Sequence, residues 1–218
     1  MGGFFGAASK NDCITDVFFG TDYHSHLGTR RGGMTAYSED NGFQRSIHSI
    51  ENSPFRTKFE DDVVNMRGKL CIGCISDTDP QPIMVRSKLG LYAICSIGVI
   101  RNAEELTEEL LQNGCANFET MSSGNINSGD LIGALIAQKD NFVEGIRYAQ
   151  EKIEGTMSLI ILTKDCIIAA RDKYGRLPVV IGKRWDGYCL STESFAFQKL
   201  GYETYKELAA GEIIKMTS

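Results

Sequence analysis

The chain has 218 residues, 42% of them hydrophobic, and a formal net charge of -5. That length and apolar content suffice for a substantial core in one large domain or two small ones. With 23 Lys plus Arg against 28 Asp plus Glu and no long basic run, a phosphate-backbone binding surface is excluded, and no apolar run reaches the ~20 residues of a membrane span. A cytoplasmic protein without nucleic-acid or membrane partners is expected, since no basic flank precedes an apolar stretch at the N-terminus.

Apolar alternation and short apolar runs predict strands at Gly3–Ala8, Met34–Ser38, Leu70–Ser76, Pro82–Val85 and Leu91–Ile97. Further strands are expected at Met157–Thr163, Ile167–Ala170, Val179–Gly182, Tyr188–Ser191 and Ile213–Met216. Helices interrupt them. The first starts near Asn11 or Asp12, carries Ile14, Val17 and Phe18 on one face, and ends before the Gly-rich stretch from Gly28 to Gly33. Asn102 with Glu105 three residues on reads as a capping box for a helix presenting Leu106, Leu110 and Leu111. Two more helices are expected from Ser128 to about Gln138 and from Asn141 to about Ile153, with shorter ones near Thr57–Met66 and Glu193–Lys199. Many short antiparallel strands around a central block of helices predict an α+β fold: two sheets packed face to face, each covered outside by helices, a four-layer αββα sandwich. Only 4 Pro occur and no repeat or linker interrupts the pattern, so residues 1–218 read as one domain.

Seven cysteines are scattered through apolar surroundings and read as reduced, buried thiols. Cys71-Ile72-Gly73-Cys74 has metal-ligand spacing, but on a strand residues three apart point to opposite faces. With no second pair or His at a suitable distance, neither a metal nor a cofactor is expected. His24, His26 and His48 read as surface or capping residues, and Glu108-Glu109 and Asp61-Asp62 as solvated helix faces. Arg30-Arg31, in the Gly-rich loop, reads as satisfying backbone carbonyls and neighbouring carboxylates.

The opening Met1-Gly2-Gly3-Phe4-Phe5-Gly6 resembles the Cys-Gly-hydrophobic-Phe/Val-Gly start of the class II, N-terminal-nucleophile glutamine amidotransferases. Four further landmarks follow in order. Thr29-Arg30-Arg31-Gly32-Gly33 is similar to the family's Gln-His-Arg-Gly-Gln, and Arg171-Asp172 with Gly175-Arg176-Leu177-Pro178 to its Arg-Asp-Pro-x-Gly-x-Arg-Pro turn. Ser191-Thr192-Glu193-Ser194 resembles Ala-Ser-Glu-Ser, and Ala210-Gly211-Glu212-Ile213 the closing Pro-Gly-Glu strand. Within the family, the resemblance points to the glutaminase half of amidophosphoribosyltransferase.

The resemblance also implies which positions would carry the chemistry, and there the sequence departs from the family. In these enzymes the first Cys attacks the side-chain amide of glutamine, with its own α-amine as proton acceptor; here the position is Gly2. The Arg that holds the substrate carboxylate, in Gly-His-x-Arg-Tyr/Trp-x-Thr, corresponds to Ser76 in Gly73-Cys74-Ile75-Ser76-Asp77-Thr78. A carboxylate needs bidentate, charge-assisted donors to be fixed in orientation. The oxyanion-hole pair Asn-Gly corresponds to Ile97-Gly98, which keeps the Gly and loses the side-chain donor. The Asp that anchors the substrate amine corresponds to Asn127, and Asp130 could replace it only if Gly129 shifts the register. Arg31, Ser76, Thr78, Asn127 and Asp130 are therefore the implied substrate-binding positions, and Gly2, Ile97 and Gly98 the catalytic ones.

The first expectation is a degenerate glutaminase domain, inactive toward glutamine, retained as a scaffold, a regulatory element or a small-molecule binding domain. The resemblance further implies a phosphoribosyltransferase-type domain in cis and a homo-oligomer, and leaves open whether the chain is a fragment or stands alone. The alternative is an active amidohydrolase or amidotransferase using Cys74 or a bound water with the Gly2 amine as base, since Cys74 and Cys95 lie on strands that border the family's pocket.

Overall fold

The computed structural model describes residues 2–114, 118 and 124–217. In chain order the elements are β1 (Gly2–Ser9), α1 (Ile14–Asp22), β2 (Arg31–Ser38), β3 (Gly42–Ser49), α2 (Phe55–Asn65), β4 (Leu70–Ser76), β5 (Ile83–Ser87), β6 (Gly90–Ile100) and α3 (Ala103–Gln112). They continue with α4 (Ser128–Ile136), α5 (Phe142–Lys152), β7 (Gly155–Leu162), β8 (Ile167–Ala170), β9 (Val180–Arg184), β10 (Gly187–Ser191), α6 (Phe195–Leu200), β11 (Glu203–Glu207) and β12 (Ile213–Met216). A seven-stranded sheet has the order β11-β9-β10-β1-β4-β2-β3, and a five-stranded sheet the order β12-β8-β7-β6-β5. The α+β sandwich expected from the sequence is present, and the strand pairs are antiparallel.

The period-2 alternation of the central strands creates three cores. Phe5 and Ala7 of β1, with Cys71 and Ile75 of β4, face α1, α2 and α6, where Val17, Phe55, Phe59 and Phe197 meet them. The alternate residues Phe4, Ala8, Ile72 and Cys74 point to the other sheet and pack against Ala93, Cys95, Ile160 and Leu162. On the far side of the second sheet, Tyr92, Ile94, Leu159 and Ile161 pack against Leu131, Leu135, Ile146 and Ala149 of α4 and α5. Burial on both faces is why these strands read as continuous apolar runs.

Several local expectations change. The first helix starts at Ile14, because the Asp12 carboxylate is used beforehand, accepting from Ile14 N at 3.2 Å and Gly68 N at 2.8 Å. Asn102 occupies the N-cap of α3 without capping it; its amide instead donates to Lys152 O and accepts from Glu154 N, tying α3 to the end of α5. The strands β3 and β11 were not expected, since both are polar edges and β11 is exposed throughout. Asp62 is not a solvated helix residue: it accepts from Ser46 and pairs with His48 at 2.7 Å. His24 is fully buried, with Nδ1 2.7 Å from Gly20 O and Nε2 2.9 Å from Ser191 Oγ, so the surface reading fails for it.

Candidate functional site

At one end of the intersheet core the register aligns a row of residues across three strands. Gly2 of β1 lies opposite Ser76 of β4, and Ser76 lies opposite Arg31 of β2. Directly opposed residues of antiparallel strands share a face. A cleft of about 260 Å³ opens here, lined from the first sheet by Gly2 and Ser76 and from the second by Ile97, Gly98 and Thr156. Thr78, Asp79 and Gln81 enter from the loop after β4, Ser128 from the start of α4, and Leu177 from the turn before β9. Gly2, Ser76, Thr78, Ile97 and Gly98, all singled out from the sequence, are thus gathered in one place.

The backbone at two of these positions leaves no space for a side chain. A Cβ on Gly2 would lie 2.3 Å from Ile75 O, because β1 and β4 approach closely there. Gly98 has φ +152°, and a Cβ on it would meet Thr156 O at 1.9 Å. Residue 2, to which the resemblance assigns the nucleophile, is thus packed directly against the backbone of β4.

The polar lining is held by local hydrogen bonds. Ser76 Oγ accepts from Thr78 N at 3.2 Å, curling the chain at the end of β4. Asp77 turns away from the cleft, where its carboxylate accepts from Thr29 N at 2.7 Å; that bond is the main reason its pKa is lowered. Asp79, which is 6% exposed, accepts from Ser128 N at 3.0 Å and so sits at the first turn of α4. Gln81 pairs its side-chain amide with the backbone of Ser96, donating to O at 3.1 Å and accepting from N at 2.6 Å. The Arg171-Asp172 pair builds the turn that delivers Leu177: Arg171 donates to Leu177 O and Gly175 O, and buried Asp172 accepts from Tyr174 N and Arg176 N.

The remaining positions fall elsewhere. Asn127 caps α4, accepting from Gly129 N at 2.9 Å and donating to Pro80 O at 3.0 Å, so its amide is spent on structure beside the cleft. Asp130 lines a separate depression with Met84, Arg86 and Gly133, and the register shift that would bring it to the cleft does not occur. Arg31 is exposed at the flank of the row and does not line the cleft; among the described residues neither it nor Arg30 makes the side-chain contacts expected of the pair. Cys74 and Cys95 share the intersheet core, 2% and 0% exposed, and neither lines the cleft. Burial pushes the Cys95 thiol well up, with Cys74 beside it adding to the effect. That environment opposes thiolate formation. Sequence reasoning missed Asp79 and Gln81; in the polar run Ser76-Asp77-Thr78-Asp79-Pro80 nothing marks which carboxylate turns inward. Among the described residues no group of His, Cys, Asp and Glu could hold a metal ion.

The sequence matches the family described as a glutamine amidotransferase domain over residues 67–199. Amidophosphoribosyltransferase of Methanocaldococcus jannaschii is 28% identical over 228 residues, which cover 99% of this chain and 47% of the relative. The human amidophosphoribosyltransferase is 28% identical over 160 residues, covering 63% of this chain and 30% of its own length. Among solved structures, glutamine phosphoribosylpyrophosphate amidotransferase from B. subtilis, complexed with ADP and GMP, superposes with a TM-score of 0.85 at 23% identity, over 98% of this chain and 46% of that one. The chain thus spans about half the length, or less, of the curated relatives it matches.

Proposed function

The chain belongs to the glutamine amidotransferase domain family, and from that premise we propose that it is a member that has lost glutaminase chemistry and retains the fold as a scaffold or small-molecule binding domain. The observation that carries this reading is the cleft lining: among the described residues it contains no Cys, Arg, Lys or His. Hydrolysis of the glutamine side chain needs a nucleophile, a donor for the developing oxyanion, and groups that orient the amino acid. At the family's four positions stand Gly2, Ile97, Ser76 and Asn127. Removal of one oxyanion donor alone costs about 10²–10³ in rate in an enzyme that keeps its nucleophile.

The same reading extends to the whole molecule as a proposal. Relatives about twice as long carry the name amidophosphoribosyltransferase, which supports a phosphoribosyltransferase-type domain in cis, with residues 1–218 as a single N-terminal domain of a cytoplasmic homo-oligomer. The alternative of an active amidohydrolase using Cys74 finds no support in a thiol closed off within the intersheet core. Ammonia release from L-glutamine tests the reading. Release indistinguishable from buffer is expected, and turnover on the ordinary enzyme scale of about 1–10³ per second would overturn it.

A further inference from the structure

The family's site handles a zwitterion, so it presents one cation and one anion; this cleft presents a different charge set. Asp79 is the one ionisable side chain among its described lining residues. As a residue Asp79 is 6% exposed; Oδ2 accepts the Ser128 amide, and no described donor reaches Oδ1, which is not among the fully buried oxygens. A carboxylate so enclosed and half-satisfied favours a cationic partner that donates hydrogen bonds. Ser76, Thr78 and Ser128 line the same cleft, and hydroxyls are acceptors for the remaining protons of an ammonium group, which has three donors and no acceptor. Beyond them the wall is apolar, formed by Ile97, Val99, Ile100, Ile132, Met157 and Leu177. A volume of about 260 Å³ lies below the roughly 300–1,000 Å³ of pockets that take drug-sized ligands.

Resting on the reading that glutamine is no longer a substrate, we infer that this cleft binds small aliphatic primary ammonium compounds that carry no carboxylate. The ammonium pairs with Asp79, and the chain lies along the apolar wall. Among the described lining residues a carboxylate on the ligand finds no cationic side chain, and Asp79 repels it, so α-amino acids are selected against. A divalent metal is also disfavoured, because such ions take several oxygen ligands and Asp79 supplies the only carboxylate among the described lining residues.

Three fragments of glutamine separate the possibilities. 4-Aminobutanamide lacks the α-carboxylate, glutaramic acid lacks the amine, and butanamide lacks both charges. Titration calorimetry on the whole chain should give 4-aminobutanamide an affinity at least tenfold above the other two. Asp79→Asn, which can still accept from Ser128 N, should remove that preference while leaving the melting temperature near wild type. Binding of glutaramic acid as tight as that of 4-aminobutanamide would overturn the inference, as would no binding of any fragment or an Asp79→Asn variant that keeps the preference. None of those outcomes bears on the loss of hydrolysis, which ammonia release from glutamine tests by itself.

Discussion

His24 illustrates how far a single side chain can depart from its sequence context. It follows α1 in a polar stretch, yet both ring nitrogens are used inside the fold. The Gly20 carbonyl can only accept, so Nδ1 carries the proton and Nε2 accepts from the Ser191 hydroxyl. Burial disfavours the imidazolium and lowers the pKa from 6.5. The unfolded chain therefore binds this proton more readily than the native one, so stability rises with pH through this window. The His24 contribution is fully present above pH 6.5 and is lost as pH falls below it towards the lower native pKa. Melting temperatures measured from pH 7.5 down to 5 should decline in the wild type and decline less steeply in His24→Gln. Equal slopes would mean that His24 titrates as it does in the unfolded chain.

Among elements, the ends of α1, β9, β10 and α6 meet at Arg184. Its guanidinium contacts Asp16 and Asp186, each at 2.7 Å, and donates to Leu200 O at 2.9 Å, while Tyr202 OH donates to Asp16 at 2.9 Å. The side chains of Arg184 and Asp186 are 20% and 4% exposed, so removing the cation strands carboxylates that water cannot reach well. Arg184→Ala should lower stability by about 3 kcal/mol in denaturant titrations, at the lower end of the ~3–5 for breaking a buried pair because the guanidinium is partly hydrated. Lys88→Ala, which removes an exposed ion pair with Asp140, should have no measurable effect. A loss for Arg184→Ala no larger than that for Lys88→Ala would contradict this account. The sequence disclosed the central strands because burial on both faces leaves apolar runs. It concealed β3 and β11 because edge strands with solvated faces have no such signal. The candidate cleft was legible at Gly2, Ser76, Ile97 and Gly98, which strand register brings to one end of the two sheets. Asp79 lines the cleft and Asp130 does not, because helix register and loop curl, which decide where each carboxylate goes, are not written in residue type.

For the whole molecule, the separation of stability from chemistry follows from where the cores lie. The three apolar cores are built from strand interiors and helix faces, and the cleft occupies one end of the space between the sheets. Few of its residues belong to those cores, so its polar set can change while the sandwich stays intact. The close approach of β1 to β4 at residue 2 is itself part of the frame: a side chain there must push against Ile75 O at 2.3 Å. On the proposed reading, the glycine at residue 2 and the close approach of β1 to β4 act in the same direction, since both leave no side chain there. The most direct measurement is ammonia release from L-glutamine by Gly2→Cys, with the initiator Met removed, beside the wild type. Both should remain at background, whereas turnover by the variant at about one per second or faster would show that a single sulfur was all the cleft lacked.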